Sequence, residues 1–301
     1  MNMYRVLGIC LSILISATVA VAESTAWKPE FFTYCVEMGV PGVKPHSFPE
    51  QVKMLKEIGF DGAGYGIWLG DDMDKNLKIL DDAGLKIYML WVSVNLNVEK
   101  GKAYDQRLPD AIRKLKGRPA TICVMLVGLK PGDPNGMDPA IKILRELGDI
   151  AAEAGVRISI YQHVGNWTES LPFVLEVVRK VNHPQVGFNF NLCHWLKVDG
   201  KNDYRPLLRD NADKLFVVTI NGAQVEEETW TNGLIQPLDC GNFNNGQLMA
   251  TLAGIGYKGP VGLMCYGVPD DARDHLTRSM SVWKKLKKKI DQPDKQLPSK
   301  Q

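Results

Sequence analysis

The chain has 301 residues, and its 36 lysines and arginines against 34 aspartates and glutamates leave a formal charge of +2. A surface so evenly balanced carries no footprint for nucleic acid. Six cysteines in a chain long enough to bury a full core exclude a small disulfide-stapled scaffold.

The first residues set the compartment. A basic start, Met1 to Arg5, precedes an apolar run from Val6 to Val21, and Ala20-Val21-Ala22 before Glu23 has the small-x-small pattern of a signal peptidase site. Residues 1–22 therefore read as a signal peptide, with a secreted or periplasmic product. An uncleaved N-terminal anchor is the alternative, although the run falls short of the roughly 20 residues of a membrane span. Cleavage removes Arg5 and Cys10. The remaining Cys35, Cys123, Cys193, Cys240 and Cys265 are odd in number and contain no Cys-x-x-Cys, so free thiols are expected.

Beyond the leader the pattern alternates. Strand-like runs cover Phe31–Glu37, Gly62–Trp68, Lys86–Asn95, Thr121–Gly128, Arg157–His163, Gly187–Asn191, Leu215–Asn221 and Gly262–Tyr266. Helical spacing marks Pro49–Ile58, Asp72–Ala83, Asp138–Ala154 and Gln247–Ile255, each followed by a glycine suited to a left-handed helix stop. Helix, glycine, strand repeated in this way predicts parallel βα units. Eight strands without a composition break predict an α/β fold, a single (β/α)8 TIM barrel over residues 23–290. A doubly wound open sheet is the competing arrangement, but no Gly-x-Gly-x-x-Gly turn follows the first strand. The lysine cluster at 284–289 fits a solvated helix end. The polar tail at 291–301 is expected to be disordered.

Parallel barrels place ligands at the C-terminal ends of their strands. Those positions are rich in amides, aromatics and histidine and poor in carboxylates, which suits the hydroxyls and apolar faces of a sugar. Asn191, Asn221 and Gln236 are candidates to orient hydroxyls, with Tyr161, Trp91 and Tyr266 completing the substrate-binding set. The asparagines could instead satisfy backbone groups at a strand end. Trp68, Trp167 and Trp195 could also form stacking walls or simply pack. His163 is a candidate acid/base or a fixed hydrogen-bonding imidazole of the Asn166-Trp167 loop. Glu37 is the remaining carboxylate base.

The units Glu57–Gly62, Ile158–Gly165, Val186–His194 and Gly256–Tyr266 resemble those of the xylose isomerase-like barrels, the sugar phosphate isomerase/epimerase superfamily. Phe190–Trp195 and Ile235–Leu238 look like a branch found in exported bacterial proteins. The resemblance implies a substrate-facing His194, proton-transfer chemistry, and a divalent ion held by Glu, Asp, His and Glu. Those four positions fall on Tyr161, Asn191, Val218 or Thr219, and Met264 or Cys265. Hard cations prefer anionic oxygens, so no metal ligands and no cofactor are assigned. A softer ion on His163 and His194, with Cys265, is the remaining option for a metal.

The expectation is thus an exported isomerase- or epimerase-like protein acting on a sugar or oxidised sugar, by isomerisation, epimerisation, elimination or hydration. His163, His194 and Glu37 are its catalytic candidates. The alternative is a non-catalytic carbohydrate-binding barrel that has lost the metal site. An endonuclease-like activity fits neither the charge nor the missing carboxylates. A phosphosugar would have only Lys197 and Arg273 as clamps. The expected partner is a small carbohydrate, with no nucleic acid and no membrane beyond export; oligomeric state is open.

Overall fold

Helix, glycine and strand succeed one another through the computed structural model, which describes residues 27–97 and 101–291. The signal-peptide reading at 1–22, and the tail from 292 onward, lie outside the described residues. The strands are β1 (Phe31–Tyr34), β2 (Gly62–Gly66), β3 (Lys86–Asn95), β4 (Thr121–Val127), β5 (Arg157–Ile160), β6 (Val186–Asn191), β7 (Leu215–Ile220) and β8 (Val261–Met264). They pair in sequence order, all parallel, and β8 closes on β1 with Phe32 opposite Gly262. The result is the single (β/α)8 barrel that the alternation predicts.

The helices wrap outside: α1 (Phe48–Ile58), α2 (Asp71–Ala83), α3 (Leu108–Arg113), α4 (Met137–Ala154), α5 (Leu171–Val181), α6 (Leu192–Val198), α7 (Tyr204–Asp210), α8 (Asn245–Gly254) and α9 (Ala272–Asp291). Gly59, Gly84 and Gly155 end α1, α2 and α4 in left-handed conformation, as their positions predict. None of the helices among the described residues is long and apolar enough to cross a membrane.

Side chains alternate across each strand. Phe31 of β1 faces out and stacks on Trp283 of α9, 4.0 Å between centroids. Phe190 of β6 faces out against Trp195 and Tyr204, which turns Asn189 and Asn191 into the barrel. Phe32, Met89, Cys123 and Val217 plug the interior beneath the mouth. Gly262 is small for a reason, since a β-carbon there would lie 2.5 Å from the Phe32 ring. The cysteines among the described residues are free thiols, all buried except Cys240.

Several strands stop earlier than their hydrophobic runs. The first run was expected to reach Glu37, but β1 ends at Tyr34 because Cys35 and Glu37 both adopt a φ of 57°. Such a left-handed turn is uncommon for non-glycine residues and swings the chain off the sheet. Likewise β5 ends at Ile160, leaving Tyr161 to His163 in the following loop.

Candidate functional site

The mouth of the barrel opens into a cavity of about 410 Å³. Tyr34, Trp91, Met125 and Met264 rise into it from β1, β3, β4 and β8. The loop after β5 adds Tyr161, His163 and Val164, and α6 adds Cys193 and His194. Met38, Trp230, Ile235 and Tyr266 come from loops after β1, β7 and β8.

The two histidines are brought together by independent anchors. The His163 loop is pinned by Trp167, whose backbone N–H donates to Leu126 O at 3.0 Å and whose indole N–H donates to Asp133 O at 2.8 Å. His194 sits on α6, whose far end carries Asp199. One oxygen of that buried carboxylate, Oδ2, accepts from the Gln162 amide at 2.9 Å and from the Leu171 backbone N–H at 2.8 Å. Asp199 thereby ties α6 to the residue preceding His163 and to the first residue of α5.

The rings of His163 and His194 lie 4.1 Å apart between centroids, inclined by 41°. Tyr161 packs beside both, at 5.9 and 5.8 Å. His163 Nδ1 lies 2.8 Å from the Val164 carbonyl, which only a ring N–H can satisfy, so Nδ1 carries the proton and Nε2 a free lone pair. The Val164 N–H donates to His194 Nδ1 at 3.4 Å, so there Nε2 carries the proton. Neither Nε2 has a protein partner among the described residues.

The buried titratable groups of the inner wall are held neutral. Burial lowers the His163 pKa, and burial with the neighbouring His163 lowers that of His194 well below 6.5. Burial also pushes the Tyr34 and Tyr161 hydroxyls well above 10, the Cys35 thiol to about 12, and the Cys193 thiol higher still. Among the described residues the lining contains no carboxylate, lysine or arginine.

His163, His194, Tyr161, Trp91 and Tyr266 thus all reach the cavity, whereas Glu37, Asn191, Asn221 and Gln236 do not line it. Glu37 faces α1 instead. Its carboxylate lies 2.6 Å from His46 Nδ1 and accepts from the Gln51 amide at 3.2 Å, while Gln51 accepts from the Tyr65 hydroxyl at 3.1 Å. The left-handed turn at Glu37 carries the side chain away from the mouth, so this carboxylate holds a loop and lies outside the cavity. Asn191 lies beneath the cavity floor, donating to the Tyr161 hydroxyl and accepting from the Cys193 thiol at 3.0 Å.

Asn221 and Gln236 hold backbone rather than ligand. Asn221 donates to Gly222 O and Leu234 O, both at 2.7 Å, and Gln236 donates to Asn232 O and Gly233 O, both at 3.0 Å. Together they stitch the long β7–α8 loop that delivers Trp230 and Ile235. Trp68, Trp167 and Trp195 are packing residues outside the lining. Lys197 and Arg273 serve Glu228 and Glu57, so neither clamps a phosphate at the mouth.

Sequence reasoning missed Tyr34, Met38, Met125, Trp230 and Met264. Tyr34, Met125 and Met264 look like ordinary strand interior, and the loop residues have no periodicity to mark them.

The family's divalent ion does not fit this donor set. At its four positions stand a neutral phenol (Tyr161), an amide already engaged (Asn191), a hydroxyl or aliphatic side chain, and a thioether or neutral thiol. None is an anionic oxygen. Among the described residues no three His, Cys, Asp or Glu side chains converge to hold a metal.

The comparisons with known proteins agree with this architecture. No curated protein matches the chain in sequence. An L-ribulose 3-epimerase structure superposes with a TM-score of 0.69 at 13% identity, covering 90% of this chain and 100% of that one. The apo 3-keto-D-glucoside 4-epimerase of E. coli gives 0.68 at 15% identity, over 86% of this chain and 100% of its own. The probable 3-DHS dehydratase of Bacillus anthracis gives 0.63 at 15%, over 85% and 98%. At such identities the likeness speaks for the fold alone. The family described as xylose isomerase-like TIM barrel matches residues 52–286, from the middle of α1 into α9. With that match spanning most of a closed eight-stranded barrel, the chain belongs to the xylose isomerase-like TIM barrel family.

Proposed function

We propose that this barrel binds an oxidised carbohydrate at its mouth and moves a proton on it without a metal, in an isomerase-, epimerase- or lyase-like reaction. The observation that carries the reading is the His163–His194 pair, which presents one accepting and one donating Nε2 to the same cavity. His163 Nε2 would take the proton from a C–H beside a carbonyl. The C–H electron pair would pass into an enolate whose oxygen accepts from His194 Nε2–H. The proton would return from His163 to carbon or to a leaving group. Burial makes His163 a weak base, which suits a C–H already acidified by a carbonyl and hence an oxidised rather than a plain sugar.

The structural neighbours include a 3-keto-D-glucoside 4-epimerase and a probable 3-DHS dehydratase, which supports this reaction class. The lack of a cationic clamp among the described lining residues argues for an unphosphorylated ligand.

A second reading, a carbohydrate-binding barrel without turnover, is favoured by the absence of any carboxylate among the described lining residues. Deuterium uptake into keto-sugars in D2O with chelator present, followed by NMR, separates the two. The enzyme reading predicts uptake that falls about 100-fold or more in His163→Ala and in His194→Ala. Ligand binding without uptake by any keto-sugar would leave only the binding barrel. We further propose export, supported by the leader-like residues 1–22; N-terminal sequencing of the secreted or periplasmic protein should begin at Glu23.

A further inference from the structure

The cavity wall is a poor match for a ligand made only of hydroxyls. Of the amides near the strand ends, Asn191, Asn221 and Gln236 are bonded to their own chain, while Asn189, without a partner among the described residues, is fully buried outside the lining. The histidines occupy one side, after β5 and on α6. Facing the cavity from the other strands and loops are Trp91, Met125, Met264 and Met38, with Trp230 next to His194 at 5.4 Å. Thioethers and aromatic rings attract one another and adapt to a flat ring between them. The rim carries the same preference. The large apolar side chains most exposed among the described residues, Val43, Val225 and Tyr266, all lie in loops at this end of the barrel. The volume of about 410 Å³ lies in the range that drug-sized ligands occupy.

We infer that the cavity takes a glycoside with an aromatic aglycone, its sugar at the histidine pair and its aromatic ring against Trp91, Met125 and Met264. This rests on the proposed reading of the mouth as a carbohydrate site. The sugar keeps the few polar partners available, while the aglycone removes the thioether and indole surface from water.

Calorimetric titration of the full chain with matched phenyl and methyl β-glucosides, β-galactosides and α-mannosides, each as the plain glycoside and as its keto derivative, and with phenol alone, tests this. At least one phenyl glycoside should bind about ten-fold or more tighter than its methyl partner. Met125→Gln and Met264→Gln, which keep size but add polarity, should each cut that advantage to about three-fold or less. Equal affinity within every phenyl–methyl pair overturns the aromatic inference while leaving a carbohydrate site intact. Phenol binding as tightly as every phenyl glycoside overturns the carbohydrate reading instead. Binding of none of these overturns both.

Discussion

The rings of His163 and His194 stand 4.1 Å apart between centroids, yet their Nδ1 atoms take opposite parts in hydrogen bonds to one and the same residue, Val164. His163 donates to its carbonyl and His194 accepts from its amide. A single neighbouring residue therefore sets two tautomers at once, leaving a proton acceptor and a proton donor side by side in a cavity without a charged side chain among its described lining residues.

Acid should weaken the fold through this pair. Burial holds His194 below 6.5, so the unfolded chain takes up its proton first as the pH drops. The stability that neutral His194 contributes is complete above 6.5 and declines below it, by up to about 1.4 kcal/mol per pH unit. Urea melts at pH 7 and 5.5 should show wild type losing more than His194→Gln. Equal losses would contradict the neutral assignment.

Asp199 is expected to position the histidines without touching ligand. Asp199→Ala removes the acceptor of two buried hydrogen bonds and should cost about 2–3 kcal/mol in chemical denaturation. It should also move the imidazole 15N resonances of both histidines. Asp199→Asn can place its amide oxygen where Oδ2 sits and should restore both readouts. Loss of stability with unmoved resonances would reduce Asp199 to a structural clasp.

Gly39 supports Tyr266. Its φ is +73°, and an added β-carbon would stand 2.4 Å from the Tyr266 ring. Gly39→Ala should destabilise by about 1–2 kcal/mol and push the ring from the rim. If ligand binding depends on that ring, Gly39→Ala should add little to the affinity already lost in Tyr266→Ala. Fully additive losses in the double variant would argue against the contact.

Glu37 should be dispensable for chemistry. Its carboxylate bonds His46 and Gln51 on the α1 side and raises the His46 pKa. Glu37→Gln is predicted to leave deuterium uptake within a few-fold of wild type. A loss of about 100-fold or more, typical of a missing general base, would return Glu37 to the catalytic set.

The barrel was legible because each βα unit announces itself locally, by helical spacing, a stop such as Gly59 or Gly155, and then an apolar run. Short helices such as α6 and α7 span too few turns to show a period. At the mouth, His163 and Tyr161 could be found because a residue just past a barrel strand faces the ligand end. The same rule misplaced Glu37, since nothing in Phe31–Glu37 signals that Cys35 and Glu37 turn left-handed. It also favoured Asn221 and Gln236 for the ligand, although an amide at a strand end serves backbone carbonyls equally well. Trp230 reaches the cavity only through a loop that those same amides fold, a tertiary arrangement with no local signature.

The most direct test of the account is a long-range 1H–15N correlation spectrum of the histidine side chains at pH 7. It should show His163 as the neutral Nδ1–H tautomer and His194 as the neutral Nε2–H tautomer, unchanged by chelator. An imidazolium at either position, the same tautomer at both, or resonances that shift when metal is removed would contradict a metal-free donor–acceptor pair.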